Sequence, residues 1–299
     1  MNESEWLAER FEEHRSHLRA VAYRMLGSLA EADDALQEAW IRLSRSDTGG
    51  VENLGGWLTT VVARVCLNML QARTSRREEP LEVHVPDPVV TAEEGIDPEE
   101  EALLADSVGL AMLVVLDTLP PAERLAFVLH DVFDVPFDEI APILGRSPVA
   151  ARQLASRARR RVKGMAAVPD GDLARQRKVA GAFLAAVRAG DFDALVAILD
   201  PDVVLRADGG ALPAGASRVI RGAEVVAGQA LAFSRSRRLL PLVQRVLVNG
   251  APGFVARSPD GRPLSVVGIT VSGGRIVELD ILADPERLRR LNLAALNEG

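Results

Sequence analysis

Seven basic side chains and no acidic one lie between positions 146 and 163 of a 299-residue chain whose formal net charge is −7. They are Arg146, Arg152, Arg157, Arg159, Arg160, Arg161 and Lys163. Cations gathered at one place in an acidic chain indicate a surface that neutralises phosphate, because phosphate contacts supply much of the affinity of proteins for nucleic acids. The alternative is a basic helix face that is merely solvated.

The stretch 137–163 has the pattern of a helix, a tight turn and a second helix. Gly145 suits the left-handed residue that ends the first helix, and Ser147 followed by Pro148 suits the N-cap and first position of the second. The expected inner side of the second helix is apolar: Ala151, Leu154, Ala158 and Val162. The basic residues then face outward, which is how a helix-turn-helix presents its second helix to the major groove.

Residues 116–162 resemble the promoter −35-binding domain of the extracytoplasmic-function sigma factors of the sigma-70 family. The segments LPPAER, DEIA and GRSPVAARQLASRAR carry the resemblance. Pro142 departs from it, since many relatives have a helix former there, and we expect a small kink. The resemblance implies that the −35 element is read by Arg146, Ser147, Val149, Arg152, Gln153, Ser156, Arg157 and Arg160.

A second informative helix is expected from about Ala30 to Ser44. Its predicted inner face consists of Leu36, Ala39, Trp40 and Leu43, and its outer face is acidic with an exposed isoleucine. The pattern alone would also fit a solvated helix. The segment is similar to the sigma-factor helix that binds the clamp helices of RNA polymerase core. The residues that this resemblance assigns to the polymerase are Asp33, Asp34, Gln37, Glu38, Ile41 and Arg42.

A glycine-rich loop at 46–56 precedes a predicted helix from Trp57 to Arg77. This part resembles the region of sigma that melts and reads the −10 element, where unstacked bases are held by a loop and a polar helix face. The candidates are Asn53, Trp57, Thr60, Arg64, Asn68 and Arg73. Each could equally be an ordinary surface residue.

The composition is that of a globular protein of two or three domains, with 48% hydrophobic residues and one cysteine. Cys66 lies in an apolar helical pattern, which predicts an inert core thiol and excludes an internal disulfide. The charged N-terminus has no apolar signal core, and no apolar run has the length of a membrane span. We therefore expect a cytoplasmic protein that does not enter the membrane.

An acidic, proline-containing segment separates the two predicted helical domains. From Glu78 to Glu123 the chain has no lysine or arginine, and residues 78–105 are expected to be an extended or disordered linker. It could be a solvated spacer, or it could lie against the basic faces when DNA is absent. Relatives often have a WLPEP-like sequence here, of which Pro80-Leu81-Glu82 is at best a remnant.

Residues 170–299 predict an α+β domain. Two amphipathic helices, at 173–189 and 191–199, precede strand-like runs at 203–206, 240–248, 253–257, 264–271 and 276–282, with a helix from about Ala223 to Ser234. The order suits a curved antiparallel sheet around a pocket. The segment 185–210 resembles the SnoaL-like domains of the nuclear transport factor 2-like superfamily.

A subset of these sigma factors carries such a domain as a built-in regulator. Asp208-Gly209-Gly210 is similar to the DGG motif of that group, and residues 283–288 are similar to its NPDKL motif. The resemblance therefore implies regulatory contacts through Asp208, Gly209, Gly210, Asp284 and Pro285.

Catalysis by the C-terminal domain is not expected, because all histidines, the tyrosine and the cysteine precede it. Asp208 and Asp280 remain as conceivable bases, and Asp208 before two glycines suits a turn better.

By these resemblances the chain is identified as a member of a multidomain family: sigma domain 2 (1–77), the linker (78–105), sigma domain 4 with its helix-turn-helix (106–165) and the SnoaL-like cone. The expected partners are RNA polymerase core, promoter DNA and conceivably a small molecule in the cone, with no cofactor or metal. The rival hypotheses are a free-standing helix-turn-helix regulator with a ligand-sensing cone, and a cyclase-like enzyme.

Overall fold

The computed structural model describes residues 3–45, 53–75, 83–92, 109–165, 167–210, 217–236, 242–291 and 293. The chain divides into two compact units. The first contains Met1–Glu79, Glu101–Asp106 and Val115–Met165, and the second contains Pro80–Glu100, Ser107–Val114 and Ala166–Gly299. The two predicted helical domains thus form a single unit. None of the described helices is both long and apolar enough to cross a membrane.

The first unit begins with three packed helices, α1 (Glu3–Leu26), α2 (Leu29–Leu43) and α3 (Leu54–Ser75). The predicted inner face of α2 is largely confirmed, since Leu36, Ala39 and Leu43 are buried. Trp40 instead lies half-buried at the edge of this core, where its ring packs edge-on against the Phe11 ring, with the two ring centroids 5.4 Å apart. Cys66 is buried in α3, and burial raises the pKa of its thiol to about 12, so the thiol is inert as predicted.

Four further helices follow: α4 (Leu110–Asp117), α5 (Pro121–Phe127), which continues into a π-helical turn at Val128–Val132, α6 (Phe137–Leu144) and α7 (Pro148–Met165). The predicted helix-turn-helix is formed by α6 and α7. Gly145 ends α6 with a φ of +61°, and the Ser147 hydroxyl accepts a hydrogen bond from the Ala150 amide at 3.2 Å. Both predicted caps are therefore confirmed. Pro142 lies inside α6, and the helix continues past it.

The inner side of α7 is narrower than the sequence pattern predicted. Ala151, Ala155 and Ala158 are buried together with Val162, whereas Leu154 is only half-buried. Alanines at the seam let α7 approach α5 closely, and the larger leucine lies beside the contact.

The second unit is a mixed sheet that packs one face against three helices, α8, α9 and α10, whose bounds follow. Helices α8 (Leu173–Ala189) and α9 (Phe192–Ile198) come first, α10 (Ala223–Ser236) lies between strands, and α11 (Pro285–Arg290) follows the sheet. The strands are β1 (Val90–Thr91), β2 (Leu199–Asp208), β3 (Arg218–Arg221), β4 (Leu242–Val248), β5 (Ala251–Arg257), β6 (Pro263–Ser272) and β7 (Arg275–Leu282), in the spatial order β1-β4-β5-β6-β7-β2-β3.

The α+β class is confirmed, but the expectation of a wholly antiparallel sheet is wrong. β2 runs parallel to β7, with Leu205 beside Leu279, and the other neighbouring pairs are antiparallel. The last strand, β7, lies between β6 and the first long strand, β2, and is therefore not at the edge of the sheet. The strand β3 was not predicted, because its short sequence RVIR is largely exposed and has no apolar alternation.

Part of the predicted linker is an integral piece of this second unit. Val83, Val85, Val89 and Val90 are buried, and β1 pairs with β4 through Val90 opposite Val248. The expectation of a solvated or disordered acidic spacer is therefore wrong for residues 83–92, which are extended but largely buried. This segment has a single acid, Asp87, and a sheet edge with unpaired backbone groups can accept another strand, here Val90–Thr91. Residues 107–114, assigned to sigma domain 4 by the predicted boundary at 106, also group with this unit. Residues 80–82 and the end of the predicted linker, residues 93–105, lie outside the described residues.

Candidate nucleic-acid interface and regulatory contact

The outward face of α7 and the turn before it carry all eight residues proposed for −35 recognition, since Arg146 and Ser147 precede the helix. Arg146, Ser147, Val149, Arg152, Gln153, Ser156, Arg157 and Arg160 are all exposed, while the seam opposite them is buried. The Arg152 guanidinium carbon lies 5.3 Å from the centre of the Phe137 ring, a cation–π contact that orients the side chain at the turn. The arrangement leaves the N-terminal half of α7 open to a ligand.

The basic residues of α7 fall into two groups. Glu123, buried in α5, accepts a hydrogen bond from Arg157 (Nε to Oε1, 2.9 Å) and forms an ion pair with Arg161 (Nη1 to Oε2, 3.2 Å). Arg159 pairs with Asp131. These three arginines bind α7 to its own domain, so Arg157 also has a structural role that the sequence did not reveal. The acid of the LPPAER segment, Glu123, is the residue of the sequence that could have indicated this pairing.

The outer face of α2 carries the residues predicted to contact the polymerase, and two of them, Asp33 and Glu38, accept hydrogen bonds from arginines of this chain. Asp33, Asp34 and Gln37 are exposed. Asp33 accepts a hydrogen bond from Arg19 of α1 at 2.8 Å, and Glu38 accepts one from Arg42 at 2.9 Å. Ile41 is half-buried, so it is less exposed than predicted.

Four of the −10 candidates, Trp57, Thr60, Arg64 and Asn68, follow one stripe of α3, and several of the six have intramolecular partners. The Asn53 side chain caps α3 by accepting from the Gly56 amide at 3.0 Å, and the Thr60 hydroxyl donates to the Gly56 carbonyl at 3.0 Å. Arg73 pairs with Glu31 of α2. Asn68 is exposed and Trp57 half-buried. The sequence identified these residues as candidates but could not show which side chains the fold already uses.

Arg64 connects the −10 stripe to the helix-turn-helix. Its Nη2 donates to the carbonyl oxygen of Pro142 at 3.2 Å, at the C-terminal end of α6, where exposed carbonyls attract a cation. A cleft of about 330 Å³ lies beside this contact and is lined by residues of α1 and α3 together with the segment 129–143, among them His14, Thr60 and Phe133. Within the first unit, therefore, part of the −10 stripe faces α6.

Arg124 is a second link inside the first unit that sequence reasoning missed. It is 3% exposed, donates to the Met25 carbonyl at 3.0 Å and to the Asp117 carboxylate at 3.0 Å. Burial lowers the pKa of its guanidinium against the opposing effect of Asp117. It is the arginine of the LPPAER segment, and its burial is set by tertiary packing alone.

The two predicted regulatory motifs of the second unit touch each other. Asp208 is fully buried at the end of β2, and Gly210 has a φ of +57°. A Cβ added to Gly210 would lie 2.0 Å from Oδ2 of Asp284, so a glycine is required there. Asp284 caps α11 by accepting from the amides of Glu286 and Arg287, and Pro285 occupies the first helical position. Gly209 donates to the Ser217 hydroxyl at 3.1 Å.

The motifs also hold the linker segment. Oδ2 of Asp208 accepts from the Val85 amide at 3.0 Å and from Nη1 of Arg287 at 2.7 Å. Arg287 also donates through Nε to Asp87 at 2.7 Å and through Nη2 to the Val85 carbonyl at 2.5 Å. Farther along, the Asn249 side chain accepts from the Val89 amide at 3.2 Å.

Arg287 belongs to the predicted motif at 283–288, but sequence reasoning did not assign Asp87 to this contact. The signal was present in Val85-Pro86-Asp87-Pro88, where two prolines flank an acid as in the WLPEP-like sequence of relatives, whereas the remnant was sought at 80–82. An acid in an otherwise apolar run calls for a buried cation, and Arg287 supplies it.

Asp208 and Asp280 do not face the apolar core of the cone. Leu205 and Leu279 are neighbours in that core, and side chains alternate along a strand, so Arg206, Asp208 and Asp280 lie on the opposite face. There Arg206 donates to Asp280 at 3.0 Å and to Glu278 at 3.3 Å. Burial raises the pKa of Asp280 to about 6, although the Arg206 charge opposes the shift. Among the described residues, no cluster of histidine, cysteine or carboxylate side chains has the arrangement of a metal site.

Known proteins are similar to this chain over nearly its whole length. Residues 10–76 match the family described as Sigma-70 region 2, and residues 110–162 match Sigma-70, region 4. The chain is 40% identical over 295 residues to the ECF RNA polymerase sigma factor SigJ of Mycobacterium tuberculosis, covering 93% of this chain and 91% of that protein. It is 34% identical over 281 residues to the probable ECF RNA polymerase sigma factor SigI of the same species, covering 92% of each. The crystal structure of the M. tuberculosis SigJ superposes with a TM-score of 0.78 at 37% identity, covering 96% of this chain and 99% of that one.

Proposed function

Because the chain belongs to the extracytoplasmic-function sigma factors of the sigma-70 family, we propose that three of its surfaces act together in transcription initiation. The outer face of α2 binds the clamp helices of RNA polymerase core. The stripe of α3 opens and holds the −10 element, and the outward face of α7 reads the −35 element. Such a protein acts where the polymerase is, in the cytoplasm.

The observation that carries this proposal is the division of α7 into a buried alanine seam and an exposed face with Arg152 and Arg160, which Arg146 precedes in the turn. A helix of this kind can enter the major groove only if its seam is anchored, and Glu123 anchors it through Arg157 and Arg161. The anchoring pairs leave Arg146, Arg152 and Arg160 on the open face for DNA.

We further propose that the C-terminal domain regulates the sigma factor by holding residues 83–91. This segment lies between the two sigma domains along the chain, so fixing it shortens the free chain that joins them. The contact uses one ion-paired centre, Asp208 with Arg287, and one short strand pairing. A domain that holds the segment in one state more tightly than in another shifts the population of those states.

The proposed function includes no catalytic step in the C-terminal domain. Its described core is a cluster of apolar side chains between the helices and the sheet, and the two aspartates considered as bases lie on the other face. A small molecule in the cone would act only through a difference in its affinity for the two states of the domain.

Promoter-dependent transcription in vitro tests the proposal. Full-length protein with core polymerase should initiate from a selected promoter, whereas the protein without core should bind that promoter weakly. A free-standing regulator would bind equally well without core. Full-length protein and the Arg287→Ala variant should differ in their transcription across promoters and salt concentrations. Equal transcription by both would contradict the regulatory role but leave the initiation role standing.

A further inference from the structure

The most exposed large apolar side chain on α7 is that of Val149, at 63%. It is the second residue of the helix and is fixed in the first turn by the Ser147 cap and Pro148. A valine in a helix has one strongly preferred rotamer, so its two methyl groups have a nearly fixed direction. The fold itself gains nothing by exposing them.

Polar and basic groups surround this valine on the open face. Residues spaced three, four and seven positions apart share a helix face, which places Val149 beside Arg152, Gln153 and Ser156. All three can bond to base edges, and Arg152 is oriented by the Phe137 ring. On a recognition helix, an apolar group fixed among hydrogen-bonding groups can add to the binding free energy by packing against an apolar partner in the groove.

Only one of the four bases displays such a partner in the major groove. Thymine carries a 5-methyl group there, whereas guanine, cytosine and adenine present hydrogen-bond donors and acceptors and no methyl group. We propose that Val149 determines specificity by packing against the 5-methyl group of one thymine of the −35 element. This inference rests on the proposed role of α7 and adds to it the chemistry of one contact.

Replacing thymine by deoxyuridine tests the contact directly, because it removes the methyl group alone. The −35 element is first selected from random sequence with the holoenzyme. Each thymine in it is then replaced singly, and the affinity of the holoenzyme is measured. At one position the parent protein should lose about fourfold in affinity, which corresponds to about 0.8 kcal/mol for one buried methyl-sized group. The Val149→Ala holoenzyme should bind the thymine promoter more weakly and show no further loss with deoxyuridine at that position, since the two changes remove one contact.

Matched variants control for other effects. Val168→Ala removes an equally apolar side chain that is 80% exposed and lies beyond α7, and it should leave the deoxyuridine penalty unchanged. Val149→Thr keeps the branched shape with one methyl group and should retain part of the penalty, which covers the case in which Val149→Ala alters the helix.

Three results would overturn the inference: a selected −35 element without thymine, no thymine at which deoxyuridine weakens the parent holoenzyme, or a penalty that persists in full with Val149→Ala. In each of these cases the holoenzyme still binds promoters, so the role of α7 stands. A holoenzyme that selects no −35 element at all would instead contradict the proposed function.

Discussion

Arg287 and Asp208 form an ion pair, Nη1 to Oδ2 at 2.7 Å, that joins the beginning of α11, the end of β2 and residues 85–87 at one point. Asp208 is fully buried, and Arg287 is oriented by the Asp284 cap one turn earlier. A single buried carboxylate thus holds two motifs and a distant chain segment together. Disturbing this pair should release the segment first.

Arg287→Ala should release residues 83–91 and destabilise the second unit by about 3–5 kcal/mol, because a buried carboxylate is left without its cation. Amide hydrogen exchange measured by mass spectrometry should rise over 83–91 and much less over β5. Arg289→Ala is the matched control, since Arg289 is on the same helix and its Nε bonds only its own turn, to the Pro285 carbonyl at 3.1 Å. Equal exchange in the two variants would refute the role assigned to the pair.

The double substitution Asp34→Arg and Glu38→Arg should abolish co-purification with core polymerase. Both residues lie away from the buried face of α2, so the helix should fold unchanged while the sign of its outer face is reversed. Circular dichroism checks the fold. Glu12→Arg, on an exposed position of α1, should leave co-purification intact. Normal holoenzyme formation by the double variant would remove α2 from the interface.

Two arginines of α7, Arg152 and Arg160, should make different kinds of contact with DNA. Arg152→Ala should weaken binding at one promoter position by about 1–3 kcal/mol, as expected for a base-edge contact. Arg160→Ala should weaken binding to all sequences and lower the salt dependence by about one phosphate. Titration of promoter variants at several salt concentrations distinguishes the two. A uniform loss with both would mean that Arg152 contacts phosphate.

The raised pKa of Asp280, about 6, predicts a pH dependence of stability. Between pH of about 4 and 6 the folded chain keeps a proton that the unfolded chain has released, so stability should fall as the pH rises through this window. Asp280→Asn cannot ionise, and its stability relative to the parent should therefore improve from pH 4.5 to pH 7.5 in urea unfolding. Asp260→Asn is the control, because Ser258 lowers the pKa of that exposed aspartate. A constant difference between Asp280→Asn and the parent would show that burial does not shift this group.

Local signals in the sequence determined the helix-turn-helix and the choice of its outer face. Gly145 has the positive φ that favours glycine, and Ser147 and Pro148 are residue types preferred at the N-cap and the first helical position, so the three mark the turn without reference to the rest of the chain. The 3.6-residue spacing of small and apolar residues then fixes which side of α7 is buried. The absence of histidine, tyrosine and cysteine after residue 165 also follows from the sequence alone.

Only the tertiary structure decided where the buried charges pair. Asp208 and Arg287 are 79 residues apart, and Arg124 and the Met25 carbonyl are 99 apart. Nothing in local spacing records such pairs, because they form when distant elements exclude water from the same place. For the same reason residues 83–92, which look like a solvated acidic spacer, become buried, and Val90–Thr91 join the sheet. These two residues gain backbone partners only once the edge of β4 exists to receive them, and Val85 gains its partners from Asp208 and Arg287.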